Sequence, residues 1–284
     1  MKLVFSGPVK NCGRNLEKNL NFLINLKNDT RIELLDIFIL EGDSIDNTKL
    51  ILEKYKKNSE INLFEHNNLY EVIPNRVERI AYCRNLLLKE INDKKIAYDF
   101  YIPLDLDVDL FSQISKEEFI KILTKIRDNN EIEVLFPFSL PFYYDLAALR
   151  ASGWLEEDIW VKFNLLAEKL KFGKIFLRIY LIFKKQIKHP RSKKLIKVDS
   201  AFGGIGLYKL KQSISSLRKY GLSDEAISAD HIVFNSNFNK KYIDPNWNVR
   251  APYEHIEFKT LPFYGKMKYI YKELQFELKN LKTH

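Results

Sequence analysis

Short apolar runs and helix-period apolar faces alternate along the first half of the chain. Leu3 to Ser6 reads as a buried strand, and Asn15 to Leu26 as a helix, because Leu16, Leu20, Leu23 and Ile24 recur at helical spacing. Ile37 to Leu40 is a second buried strand, Asn47 to Lys56 a helix capped by Asp46, and Asn62 to His66 a third strand. Asn75 to Ile91 predicts a helix, and Tyr98 to Leu104 a strand running into the carboxylates Asp105, Asp107 and Asp109. Ser115 opens a further helix with a capping box closed by Glu118, and Val134 to Phe138 is another strand. Strands alternating with helices predict an α/β protein, a parallel sheet covered on both faces that binds ligands at the carboxyl ends of its strands. After Pro137 the pattern is less regular. It holds the aromatic stretch PFYYDLAALRASGW, a basic segment, the glycine-containing strand region VDSAFGGIGLYK, Ala226 to Phe234, and a loop-rich tail. No internal repeat and no clean linker separates the halves, which predicts one domain with an elaborated second half.

Composition adds bounds. The 284 residues are 46% hydrophobic and 29% charged, with ten Gly and nine Pro, which excludes a disordered or collagen-like chain. Cys12 and Cys83 are too few for a disulfide framework or a Cys-based zinc site and fit a reducing compartment, although they could form one bridge. The opening apolar stretch stops at Phe5, before Gly7 and Pro8, so it is not expected to act as a signal peptide. The longest apolar run, Ile175 to Phe183, contains Arg178 and is too short to span a bilayer.

The net charge of +9 is unevenly placed. Residues 165–197 hold eleven basic side chains against Glu168 alone, a net of +10, and the tail 258–284 adds six Lys against two Glu. Everything else sums to −5. In residues 165–197 the cations interleave with Leu, Ile and Phe, a composition suited to a helix lying on an anionic membrane surface. A solvated basic helix with one core face fits the same residues. Nucleic acid is not an expected partner, because helix-turn-helix, zinc-finger and RNP-type signatures are missing and aliphatics outweigh flat aromatics.

Two segments carry chemistry. In LDLDVD, an extended strand end would place Asp105, Asp107 and Asp109 on one face, where three carboxylates need a neutralising cation. An oxygen-rich site of this kind suits Mg²⁺ or Mn²⁺ completed by substrate phosphates. In ILEGDSIDNT, Glu41 and Asp43 leave a strand where they could hydrogen-bond the base or ribose of a nucleotide, while Asp46 and Thr48 start the next helix.

With these segments in order, the sequence resembles the GT-A class of nucleotide-sugar glycosyltransferases: an opening strand followed by PVKN, a second strand followed by the EGDSIDNT turn, and a strand ending in D-x-D. More narrowly it looks like the fungal capsule-associated α-1,3-mannosyltransferase group and its bacterial relatives, on ILEGDSIDNT, RVERIAYCRN, PFYYDLAALR, SAFGGIGLYK and ADHIVFN. The likeness covers residues 3 to about 256. The class pattern has Asp where Glu41 stands and a less acidic metal motif.

The resemblance implies a GT-A (Rossmann-like) mostly parallel sheet flanked by helices. Residues 1–257 would form one domain, with a nucleotide-sugar-binding half (1–135) and an acceptor half (136–257) carrying the basic insertion 165–197. A basic amphipathic tail (258–284) would follow. Pro8 to Asn11 would cradle the nucleotide, and one or more of Arg76, Arg79 and Arg84, with Arg79 and Arg84 the donor-binding candidates, would meet its diphosphate. Asp107 would hold Mn²⁺ or Mg²⁺, Asp105 the ribose or the metal, and Asp109 would be a second metal candidate. His231 or His255 would add a third ligand. Gly203 and Gly204 would line the sugar and acceptor side, Tyr144 and Asp145 would bond sugar hydroxyls, and Trp154 or Trp160 would stack on a sugar face. In an inverting reaction Asp230 would be the general base. The implied activity is transfer of a hexose, with mannose the candidate sugar, from a GDP- or UDP-linked donor to a saccharide or glycolipid acceptor in surface-glycan synthesis. The expected location is cytoplasmic, peripheral on a membrane. A sugar nucleotidyltransferase and a non-catalytic, membrane-associated binding module are the alternatives.

Overall fold

The computed structural model describes residues 1–222 and 229–281, with side chains through Lys279. The part of the Ala226 to Phe234 segment before Ala229, and the last three residues of the tail, lie outside the described residues. Eight strands form one sheet: β1 (Lys2–Val9), β2 (Leu34–Glu41), β3 (Asn62–Glu65), β4 (Phe100–Pro103), β5 (Val134–Leu140), β6 (Ile196–Lys197), β7 (Leu207–Lys209) and β8 (Lys241–Arg250). Their order is β3-β2-β1-β4-β7-β5-β8-β6. β1 pairs in parallel with β2 and β4, β2 with β3, and β5 with β8. β7 runs antiparallel between β4 and β5, and β6 antiparallel to β8, so the sheet is mostly parallel.

Side chains alternate across a strand, so each strand feeds two apolar layers. Leu3, Phe5, Ile37, Ile39, Phe100, Ile102 and Leu135 face one layer, which α1 (Leu16–Lys27) and α5 (Lys116–Asp128) cover with Leu20, Leu23, Phe119 and Leu123. Val4, Phe38, Leu40, Tyr101, Val134 and Phe136 face the other, covered by Leu87, Leu88 and Ile91 of α4 (Arg76–Asp93). The expected strands and helices of the first half all form, with boundaries moved by a few residues. Asp46 does act at the start of α2 (Thr48–Lys57), its Oδ1 accepting from Thr48 N at 3.0 Å. The capping box of α5 is complete: Ser115 Oγ accepts from Glu118 N, and Glu118 Oε2 from Ser115 N at 2.9 Å.

The second half departs from the sequence expectation. The segment read as the start of a loop-rich tail contains β8, a ten-residue strand. Pro245, Asn246 and Asn248 are turn-forming residues. The sheet accommodates them in a register shift, where Pro137 pairs with Asp244 and Phe138 with Asn248. Of VDSAFGGIGLYK only Leu207–Lys209 is strand. Among the described residues five helices, α6 (Ile159–Glu168), α7 (Lys174–Arg178), α8 (His231–Asn235), α9 (Tyr253–Thr260) and α10 (Phe263–Leu281), build out this half, and a π-helical turn, Ile179–Phe183, continues α7. Among the described residues no helix is long and apolar enough to cross a membrane.

Candidate functional site

The ends of β1, β2 and β4 open into a cavity of about 410 Å³ lined by Pro8 to Cys12, Gly42, Asp43, Asp105 and Asp107. α4 contributes Arg76, Arg79 and Arg84, and the second half adds Asp145, Phe202, Asp230 and His231. Carboxyl ends of parallel strands are where such sheets bind ligands.

The first two loops hold each other. Asn11 adopts φ +54°, tolerable for Asn, and its N–H donates to Ser44 Oγ at 2.9 Å while its Oδ1 accepts from Ile45 N at 2.8 Å. Cys12 N donates to Thr48 Oγ1 at 2.8 Å, and Gly13 N to Asp46 Oδ2 at 3.0 Å. Glu41, expected on the nucleotide, is off the cavity wall. It is buried inside its own turn, its Oε1 accepting from Ser44 N at 2.7 Å and its Oε2 lying 3.7 Å from Lys49 Nζ. Asp43 does reach the wall. Its two oxygens accept from Asn68 N and Leu69 N at 2.8 and 3.0 Å, bonds that hold its carboxyl below the usual carboxylate range.

Arg84 also departs from its expected role. It is 3% exposed, and Nη2 lies 2.8 Å from Asp105 Oδ1 while Nε lies 3.0 Å from Asp230 Oδ2. The rings of Phe202 and Tyr220 stand 5.2 and 5.4 Å from its guanidinium carbon. This arginine therefore pairs with two carboxylates from distant parts of the chain, while its Nη1, on a residue of the cavity lining, has no hydrogen-bond partner among the described residues. Arg76 is exposed at the rim, close enough to Asp107 to oppose the rise in its pKa. Arg79 donates to Ile73 O and Pro74 O and lies over the Tyr70 ring.

LDLDVD is a turn, with Val108 N donating to Asp105 O, so the three carboxylates do not share a face. Asp107 opens into the cavity, whereas Asp109 turns away to Lys18 Nζ at 3.0 Å and accepts from Ser112 N. Water reaches Asp107, but protein crowds it from the sides. That partial desolvation, reinforced by the Asp105 carboxylate, raises its pKa to about 6. Asn19, unremarked in the sequence, holds this turn: its Nδ2 donates to Leu106 O and Val108 O at 3.2 and 2.8 Å, and its Oδ1 accepts from Leu110 N at 3.3 Å. The available signal was a polar residue inside the apolar face of α1, beside Leu16, Leu20 and Leu23. Asn19→Leu should leave buried backbone groups unpaired at about 1–3 kcal/mol each, lowering the urea midpoint and loosening the Asp107 turn together.

Asp145 stands on the wall, accepting from Gly203 N at 2.9 Å and Ala148 N at 3.3 Å, and burial raises its pKa. Gly203 and Gly204, at φ +73° and +93°, are behind the wall. Gly204 O accepts from Asp105 N at 2.8 Å, and a Cβ on Gly204 would meet Leu110, Tyr144 Oη and Val108 at 3.1–3.3 Å. These glycines shape the turn that carries Asp105, so close approach of a ligand is not what requires them. Tyr144 is also off the wall, stacked on exposed His255. Trp154 packs on Phe138 and Tyr143 and donates to Lys185 O, and Trp160 packs on Phe163. Cys12 and Cys83 are free and buried on the cavity wall.

The expected metal set does not assemble. Among the described residues, no group of three or more His, Cys, Asp or Glu could hold one ion. His231 stacks on Phe202 at 3.7 Å between ring centroids, and its ring nitrogens make no hydrogen bond among the described residues. Burial and the neighbouring Arg84 cation hold its pKa well below the ordinary imidazole value, an environment hostile to a second cation. His255 lies outside the cavity. What remains is Asp107 and the oxygen of Asp105 not bound to Arg84. That pair fits a hard divalent ion of the kind held by one or two carboxylates and completed by substrate phosphates.

No protein-family model and no curated protein matches the chain. Among solved structures it aligns with TarS 1–349 of S. aureus at TM-score 0.45 and 14% identity, covering 91% of this chain and 63% of that one. The TarS structure in complex with UDP-GlcNAc gives TM-score 0.43 and 16% identity, over 95% and 65% of the two chains. Glucosyl-3-phosphoglycerate synthase from Mycobacterium tuberculosis, in complex with Mn²⁺, UDP and glucosyl-3-phosphoglycerate, gives TM-score 0.43 and 12% identity, over 99% and 79%. The chain thus spans less than two thirds of the TarS structures' length. Superpositions this loose leave the activity to the chemistry of the site.

Proposed function

We propose that the protein is a divalent-metal-assisted glycosyltransferase that moves a hexose from a nucleoside diphosphate sugar to a saccharide acceptor. The observation that supports this reading most is the buried Arg84 bridge. It sets Asp105, beside solvent-open Asp107, and Asp230 on one cavity wall at the ends of parallel strands.

Pro8 to Asn11 and Asp43 form the nucleoside side of the cavity. Arg76 and Arg79 at the rim meet the diphosphate, where guanidinium geometry matches phosphate oxygens. Asp107 and Asp105 would hold Mn²⁺ or Mg²⁺, which when bound would neutralise the departing diphosphate. In an inverting course the acceptor oxygen bonds to the anomeric carbon, the bond from that carbon to the diphosphate oxygen breaks, and Asp230 takes the hydroxyl proton. Burial raises the pKa of Asp230 and Arg84 pulls it back, which suits a carboxylate that must stay ionised yet accept a proton. Asp145, with its raised pKa, is on the sugar side. The donor is GDP- or UDP-linked, with mannose the first sugar to try, and the acceptor is a lipid-linked saccharide of surface-glycan synthesis.

A panel of UDP- and GDP-sugars in a thermal-shift assay should contain a donor that raises the unfolding midpoint only with Mn²⁺ or Mg²⁺. Ligand at ~100 times its Kd stabilises by about 2.7 kcal/mol. A panel without any metal-dependent shift would contradict nucleotide-sugar binding.

A further inference from the structure

α10 leaves an amphipathic face without a protein partner among the described residues. At about 100° per residue, Phe263, Tyr264, Met267, Tyr271 and Leu278 fall within one arc of roughly 100°. All five are exposed, Phe263 by 82%, Tyr264 by 81% and Tyr271 by 64%. One border of the arc is the side that docks on the protein. There Ile270 packs against the core, as does Leu274 just inside the arc, and Glu277 Oε2 accepts from Gly173 N at 2.6 Å, just before α7. The other border is a row of lysines, Lys268, Lys272 and Lys279.

The helices beside it continue the pattern. Leu165, Phe172, Phe176 and Tyr180, on α6, α7 and the turns around them, are exposed, with Lys169, Lys171 and Lys174 between them and Lys184 Nζ 4.8 Å from the Tyr180 ring centroid. The Glu277 contact ties the two segments together, although about a hundred residues of chain separate them. Exposed apolar area of this extent is unusual on a protein surface that meets only water.

We propose that this composite face, α10 with α6 and α7, docks on an anionic lipid bilayer. Its aromatic and aliphatic side chains enter the boundary between headgroups and acyl chains, and its lysines meet lipid phosphates. Charge selects this occupant over a second copy of the chain. The two segments carry the whole positive excess, +10 in residues 165–197 and six Lys against two Glu in the tail, so two copies meeting here would bring like charges together.

The test is sedimentation with vesicles, without nucleotide, so that its outcome is separate from that of the transferase reading. Vesicles of phosphatidylcholine alone are compared with vesicles containing about one third phosphatidylglycerol. The wild-type chain should partition to the anionic vesicles and be released by salt. Phe263→Ser/Tyr264→Ser/Tyr271→Ser, all exposed, should lower that partitioning by about tenfold or more with an unchanged circular dichroism spectrum. Lys268→Glu/Lys272→Glu/Lys279→Glu should abolish the preference for phosphatidylglycerol, and Lys27→Glu/Lys57→Glu, on α1 and α2, should bind as wild type does. Failure of the wild-type chain to bind, or unchanged binding by the triple-serine variant, would overturn the proposal. So would a wild-type dimer that ignores vesicles and that the serine substitutions dissociate, an outcome assigning the face to a second copy.

Discussion

Sugar-nucleotide turnover is expected to fall by about 10²–10³-fold or more when Asp107 is replaced by asparagine. Among the described residues Asp107 is an exposed carboxylate on the cavity wall without an ion pair, whereas Asp43 and Asp145 on the same wall accept from backbone N–H groups. Desolvation and the adjacent Asp105 carboxylate raise its pKa to about 6, so a divalent ion would relieve the strain of two neighbouring negative charges. Asparagine keeps the shape and loses the charge. Asparagine also removes a charge that the fold disfavours at neutral pH, so without metal the unfolding midpoint should stay at or rise above that of the wild type, and the loss should appear in turnover and in the metal-dependent thermal shift. Asp109→Asn serves as the contrast. It removes the partner of Lys18 outside the cavity, and turnover should change little.

The second large effect falls on stability. Arg84→Met removes the guanidinium from between Asp105 and Asp230, leaving Asp230 almost fully buried without a counter-charge. Breaking a buried ion pair from one side costs about 3–5 kcal/mol, a large share of the total stability of an ordinary domain. Urea unfolding should show that loss. Arg84→Lys keeps the charge but loses the planar fork that reaches both carboxylates, so it should be intermediate. Wild-type stability in Arg84→Met would show that the bridge contributes nothing net, and Arg84 would return to the list of free phosphate ligands.

How far the sequence exposed the fold depended on the strength of local pattern. In the first half, apolar runs and helical spacings are uninterrupted, and Leu3, Ile37, Phe100 and Val134 all mark strands that form. In the second half local and tertiary preferences conflict. Pro245 and its neighbouring Asn residues look like a turn, and only pairing with β5 through a shifted register makes them strand. β7 is three residues long and owes its place to the gap between β4 and β5.

The site shows the same division. D-x-D at a strand end was legible as a carboxylate cluster, but alternation was the wrong geometry, because the Gly203–Gly204 turn and Asn19 bend the segment and send Asp109 outward. Arg84 resembled a phosphate ligand because its partners are invisible locally: one is on the loop after β4 and the other is at the start of α8 (His231–Asn235). Glu41 likewise looked ligand-facing, whereas its acceptor is needed by Ser44 three residues on. A charged residue's type was readable in each case; its partner required the packed chain.

The central claim is transfer of sugar from a nucleotide donor, and release of nucleoside diphosphate tests it most directly. The full chain is incubated with the donor found by thermal shift, Mn²⁺ and a saccharide acceptor, and the products are separated. Metal-dependent release of nucleoside diphosphate that rises with acceptor, and that Asp107→Asn loses, is the result predicted. Pyrophosphate release from nucleoside triphosphate and sugar phosphate would contradict it in favour of a nucleotidyltransferase, and a bound donor left intact with every acceptor would contradict it in favour of a binding protein.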